Sequence, residues 1–175
     1  MVTPRKTLAC IGLVGVLLVG MDDCQDQFPN PPFDTTGDYA GTWSGNSSDA
    51  EQNVADCPLE IMLTQDVNAD YPGSHGVHGM VTIDYSCIEL PEGFDEPAPT
   101  VVQVAGILGD DGKLGLLSGG CGTGLCVVLG LNGVAEDTAQ DGFMDAYAGE
   151  WSFQILLAGV EPFGFTGTFD VGIAP

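Results

Sequence analysis

The sequence predicts an all-β domain, an antiparallel up-and-down barrel of eight strands, with a two-sheet β-sandwich as the alternative arrangement. Three observations point there. No long segment carries helical periodicity. The 26 glycines and the recurring turn signals cut the chain into short runs. Apolar residues alternate within those runs, most clearly the last, where Phe163, Phe165, Gly167, Phe169, Val171 and Ile173 share one face. The strands read from this pattern are Tyr39–Ser47, Cys57–Gln65, Gly76–Cys87, Thr100–Gly109, Lys113–Gly120, Leu125–Glu136, Phe143–Leu157 and Phe163–Ala174.

Each hairpin has its own signal. Setting Cys57 opposite Cys87 places Leu59 opposite Tyr85, Ile61 opposite Ile83 and Leu63 opposite Val81. Apolar then meets apolar on one face, and the two cysteines stand within disulfide reach. The loop between them, Asp66 to His75, holds Pro72 and Gly73. Asp111-Gly112 is a two-residue hairpin signal that sets Ile107 opposite Leu116. Cys121 and Cys126 bracket a tight Gly-Thr-Gly-Leu turn that their bond would close. A loop around Glu161 and Pro162 sets Phe153 opposite Phe163, Trp151 opposite Phe165 and Tyr147 opposite Phe169, a favourable set of aromatic pairs. Consecutive hairpins form a meander, and such a string hides its edges by closing on itself.

The start of the chain has a different character. Arg5 and Lys6 precede an apolar run from Leu8 to Met21, which Asp22 and Asp23 end. Residues 1–23 therefore read as an export signal, the apolar run being short for a membrane span. Residues 24–38, CQDQFPNPPFDTTGD, read as a flexible acidic, proline-rich tether. The barrel domain is expected over residues 39–175. Of six cysteines, Cys10 lies in the signal, while Cys57, Cys87, Cys121 and Cys126 can form two disulfides, as expected outside the cytosol. Cys24 is the odd one. It stands where a bacterial lipoprotein carries its lipidated cysteine, so two locations follow: lipid-anchored on the cell envelope, or secreted after ordinary cleavage.

Charge excludes whole classes of partner. The chain has 25 acidic and 3 basic residues, a net charge of −22. Such a surface repels nucleic-acid phosphates and anionic lipid headgroups. Contact with a membrane is expected only through a lipid on Cys24.

Gly41-Thr42-Trp43 in the first strand resembles the Gly-x-Trp signature that opens the barrel of calycins, the lipocalin and avidin superfamily. The whole layout, from Gly-Thr-Trp-Ser-Gly to Thr-Gly-Thr-Phe, is similar to bacterial lipoproteins with a calycin-like barrel. The resemblance implies a fold in which Trp43 packs across one end of the barrel; it implies no ligand. Trp43 and Trp151 are the only tryptophans, too few for the biotin pocket of avidins.

Catalytic signatures are absent: there is no Gly-x-Ser-x-Gly elbow and no nucleophile–histidine constellation, so no enzyme is expected. Asp66-Val-Asn68-Ala-Asp70 mimics the start of a calcium loop, but Tyr71 and Val77 occupy its sixth and twelfth places. His75 and His78 fall on opposite faces of a strand, and the cysteine spacing fits no zinc pattern. Neither metal nor cofactor is expected. The acidic loop Glu89–Pro99 reads as a solvated connection.

Two functions remain: a structural or interaction module with an unknown protein partner, or a carrier for a small apolar ligand. The carrier's candidate lining is Trp43, Tyr85, Gln103, Tyr147, Trp151 and Phe165. Eight-stranded barrels either fill their interior with side chains or leave room for one ligand. Bulky aromatics favour filling, while Gly41, Gly79, Gly149, Gly167 and polar Gln103 on the inner face favour space. A filled barrel is the expectation.

Overall fold

The computed structural model describes residues 31–49, 51–71, 74–89, 99–121, 125–157 and 162–175. Eight strands form one closed antiparallel barrel in sequence order. They are β1 (Gly37–Ser47), β2 (Asn53–Tyr71), β3 (Ser74–Ile83), β4 (Thr100–Gly109), β5 (Lys113–Cys121), β6 (Leu125–Glu136), β7 (Ala146–Leu157) and β8 (Phe163–Ile173). The ladder from Tyr39↔Ile173 to Ser47↔Phe165 joins β1 to β8 and closes the cylinder. Closure removes the free edges a meander would expose and excludes the sandwich. The architecture is compatible with the calycin-like fold.

Alternation builds the core. In β1, Tyr39, Trp43, Gly45 and Ser47 are buried, and in β8 Phe165, Phe169 and Val171 are buried between exposed Thr166, Thr168 and Asp170. Leu59, Ile61 and Leu63 from β2, Val77, Val81 and Ile83 from β3, Val104 and Leu108 from β4, Leu114 and Leu116 from β5, and Leu129, Leu131, Tyr147, Trp151, Phe153 and Ile155 from β6 and β7 join it. Ile173 sits at the rim and is exposed.

Three registers differ from the sequence reading, each for a local reason. In β2–β3, Leu59 pairs with Ile83, Ile61 with Val81 and Leu63 with Gly79, two residues from the expected alignment. The ladder stops at Ile83, and Tyr85–Cys87 form a single 3₁₀ turn rather than strand. Asp84 Oδ1 accepts the Ser86 N–H at 2.8 Å and starts that turn. Cys87 thereby returns over Cys57, and their disulfide forms with Cα atoms 6.0 Å apart. In β7–β8, Phe153 faces Phe165, while Trp151 faces Gly167 and Phe169 faces Gly149, again two residues from expectation. Each of those rings lies opposite a residue without a side chain, which leaves it the inner surface. Both shifts are even, so every side chain keeps its face.

The β4–β5 shift is odd and has consequences. Leu108 pairs with Leu114 and Ile107 with Gly115, not Leu116. Asp110, Asp111 and Gly112 make a three-residue turn: Gly112 N–H donates to Gly109 O at 3.0 Å, and Gly112 takes φ +78°. That is a type I turn closed by a left-handed glycine, which demands one residue more than the two-residue hairpin. Every side chain of β4 is therefore reversed. Leu108 and Val104 point inward, and Ile107 is exposed.

Two strand ends also move. The second strand starts earlier because a bulge lies between the pairs Trp43↔Cys57 and Gly45↔Val54. Asp56 takes φ 56° there, and its N–H donates to Ser44 Oγ. The seventh strand starts later because the carboxylates of Asp137, Asp141 and Asp145 accept backbone N–H groups and hold the preceding segment as a turn. Ahead of β1, the segment Phe33–Thr36 also packs. Asp34 bridges to Phe143, Thr35 N–H donates to Gln65 Oε1, and Thr35 and Met144 are buried. The packed body thus begins before Tyr39.

Candidate functional site

Four of the six interior candidates lie together inside the barrel. Trp43, Tyr147, Trp151 and Phe165 are all buried. Trp43 packs edge-on against Trp151 at 4.5 Å between ring centroids and against Phe165 at 6.2 Å. Tyr147 stacks edge-on against Phe169 at 4.6 Å. Such edge-to-face pairs contribute about 0.5–1.5 kcal/mol beyond their buried area. Two polar tips reach backbone acceptors: Tyr147 Oη donates to Leu114 O at 3.0 Å, and Trp151 Nε1 to Ser44 O at 3.1 Å. Trp43 Nε1 is buried without a hydrogen-bond partner among the described residues.

Gln103 does not join them. The one-residue turn extension reverses β4, so Gln103 faces outward and is exposed, with Val104 inside in its place. Tyr85 leaves the ladder for the 3₁₀ turn, and its side chain lies outside the described residues, as do Cys24 and the Cys121 side chain. Cys126 is disulfide-bonded, and its partner across the β5–β6 ladder is Cys121.

The void among Trp43, Leu59, Ile83, Leu129, Leu131 and Trp151 measures about 10 Å³. That is the lower limit for one water, against about 300–1,000 Å³ for a typical ligand pocket. The glycines that suggested space mark close approach of strands instead. A Cβ on Gly167 would stand 1.9 Å from Ser44 O, on Gly41 2.0 Å from Asp170 O, on Gly79 2.0 Å from Met62 O and on Gly149 2.2 Å from Asn132 O. Neighbouring backbone fills those positions.

Burial sets the electrostatics of the two core tyrosines. Desolvation, aided by the carboxylates of Asp34, Asp145 and Asp38, pushes Tyr39 up to about 12, and burial raises Tyr147 as well. A phenol that resists ionisation in the fold stabilises it fully below the ordinary value of about 10, and that contribution is lost as pH rises toward 12. Two of the four tyrosines are expected to stay silent in an ultraviolet titration until the barrel unfolds in alkali. Ionisation of all four near pH 10, with the fold retained, would contradict this burial.

The outer wall carries open grooves of similar size, about 590, 520, 610 and 510 Å³. The groove of about 590 Å³ runs over β2–β5, lined by Met62, His78, Met80, Gln103, Leu117 and Gly119 among others. It lies where the β4–β5 ladder ends. That ladder has only four pairs, from Leu108↔Leu114 to Ala105↔Leu117, and the strands part beyond it. Sequence reasoning missed this surface because it followed the inner face. Nearby, His75 is buried and its Nε2 lies 3.3 Å from Asp110 Oδ1, tying β3 to the β4–β5 turn, whereas His78 is exposed on the opposite face.

Among the described residues, no group of three or more His, Cys, Asp or Glu is placed to hold a metal ion. None of their helices is long and apolar enough to cross a membrane. Comparison with family models, with curated proteins and with solved structures finds no match.

Proposed function

We propose that this chain is an exported interaction module, a barrel that works through its outer surface and carries out no catalysis. The observation that carries the reading is the interior: aromatic side chains and strand backbone occupy the space a carrier would reserve for its ligand. A filled barrel is a rigid support, and its outward residues are free to meet a partner. The Cys57–Cys87 disulfide supports an oxidising compartment. Cys24 then serves as the lipid attachment point that holds a bacterial protein on its envelope, with free secretion as the other outcome of processing. The test is titration of the folded protein with an apolar fluorescent probe. Saturable one-site binding reported by Trp43 or Trp151 quenching would overturn the reading in favour of a carrier. Lipid attachment is checked by detergent partition of the cell-derived protein, which Cys24→Ser should abolish.

A further inference from the structure

We infer that the acid-free side of the barrel, centred on the β4–β5 seam, is the face through which two copies of this chain associate. The inference rests on the reading of the barrel as an interaction module and names its surface and its partner.

The first observation is the distribution of charge. The strands β3, β4 and β5 contain no aspartate or glutamate, and β6 has only Glu136 at its end. The acidic strand residues lie on the other half of the wall: Asp38 on β1, Asp56, Glu60, Asp66 and Asp70 on β2, Glu150 on β7 and Asp170 on β8. In a chain with 25 acids and a net charge of −22, half a barrel wall without carboxylates is a marked asymmetry.

The second observation is what replaces the acids. Met62, Met80, Val101, Ile107, Leu117 and Val134 are 43, 37, 57, 51, 62 and 48% exposed. They lie on neighbouring strands from β2 to β6, and Met62 pairs directly with Met80. Across the ladders Met80 faces Gln103, Leu117 faces Ala105 and Gly130, and Val134 faces Lys113, so apolar side chains alternate with small and polar ones, as they do on many contact surfaces. The four strands β3 to β6, about 4.8 Å apart and roughly ten residues long at about 3.3 Å each, span on the order of 600 Å². That is the lower end of what each partner contributes to a standard interface.

The third observation is the seam itself. Val101–Val104 and Ser118–Cys121 diverge beyond the last β4–β5 pair. A Cβ on Gly119 would meet nothing within 4 Å. The groove at this fork can receive a side chain from a facing surface.

Charge identifies the occupant. A basic partner would gain most on the acidic half of the wall. Excluding carboxylates spares any other partner the cost of desolvating them, and the gain is greatest when the partner is itself strongly acidic, as a second copy of this chain is. Docked through this face, two copies keep the carboxylates of β1, β7 and β8 on opposite sides and leave the acids at the strand ends, Asp84, Asp110 and Asp111, at the rim, where salt screens their repulsion.

Sedimentation of the full chain at low and at high sodium chloride tests the inference. A concentration-dependent dimer is expected that tightens as salt rises, because screening relieves the repulsion between the two anionic copies. Leu117→Glu and Met80→Glu, both outward and exposed, should each weaken it about tenfold or more with unchanged circular dichroism and melting. Ile173→Glu, exposed on β8, should leave it intact. A monomer at every concentration and salt, a dimer that loosens with salt, or one that ignores Leu117→Glu would overturn the inference. A monomer that still excludes the apolar probe sinks the dimer and leaves the module reading; a dimer whose barrel takes up the probe does the reverse.

Discussion

Phe165→Ala and Trp151→Ala are each expected to destabilise the barrel by about 3–5 kcal/mol. Phe165 is 1% exposed, and its ring packs on Trp43 at 6.2 Å and on Phe163 at 5.4 Å. Strand backbone cannot collapse into the space a missing ring would leave, because β1, β7 and β8 are held in continuous ladders. The cost is therefore lost transfer energy plus an unrelaxed cavity. Trp151→Ala removes in addition the hydrogen bond to Ser44 O. Because Trp151 also touches Trp43, its effect should not add to that of a Trp43 substitution. Urea midpoints of the variants measure the losses. A loss below about 1 kcal/mol for Phe165→Ala would mean that its side chain borders a void, the property of a carrier.

Removing the Cys57–Cys87 bond should cost about 2–4 kcal/mol. The bond joins residues 30 apart, so it removes substantial freedom from the unfolded chain. It also fixes the 3₁₀ turn after β3 against β2, which no ladder does, since the β2–β3 pairing ends at Ile83. Cys57 is 1% exposed and pairs across the sheet with Trp43, so loosening here reaches the aromatic cluster. The double variant Cys57→Ala, Cys87→Ala should show the lower denaturation midpoint, and reductant, which also breaks the bond at Cys126, should lower the parent protein at least as far. Equal midpoints for variant and parent would show that the bond contributes nothing to the folded barrel.

Inner-face alternation made the barrel legible before any coordinates. Where the pattern was strict, as in β8, an error of two residues in register still left Phe165 and Phe169 inside. β4 offered no such protection. Its sequence TVVQVAGILG is apolar on both faces, so alternation could not orient it, and the turn at Asp110–Gly112 decided instead. One extra residue in that turn sent Gln103 out and Val104 in. The bulge at Asp56 and the 3₁₀ turn at Cys87 were equally hidden, because each depends on a local hydrogen bond, from Asp56 N–H to Ser44 Oγ and from Ser86 N–H to Asp84 Oδ1. The outer surface had a signal that alternation does not report. From Ser74 to Ala135 the strands are empty of carboxylates, while the stretches 84–99 and 110–112 between them are rich in them. That contrast was readable once the strand boundaries were in place.

The melting temperatures of the parent protein and of Trp151→Ala, each with increasing indole, read whether the chain itself occupies the barrel interior. A ligand that binds only the folded state raises the melting temperature by mass action. Indole should leave the parent unchanged and raise the melting temperature of Trp151→Ala, whose vacated ring space fits it. Saturable stabilisation of the parent by indole would mean that the barrel is not filled, because a filled barrel has no site in which to hold it.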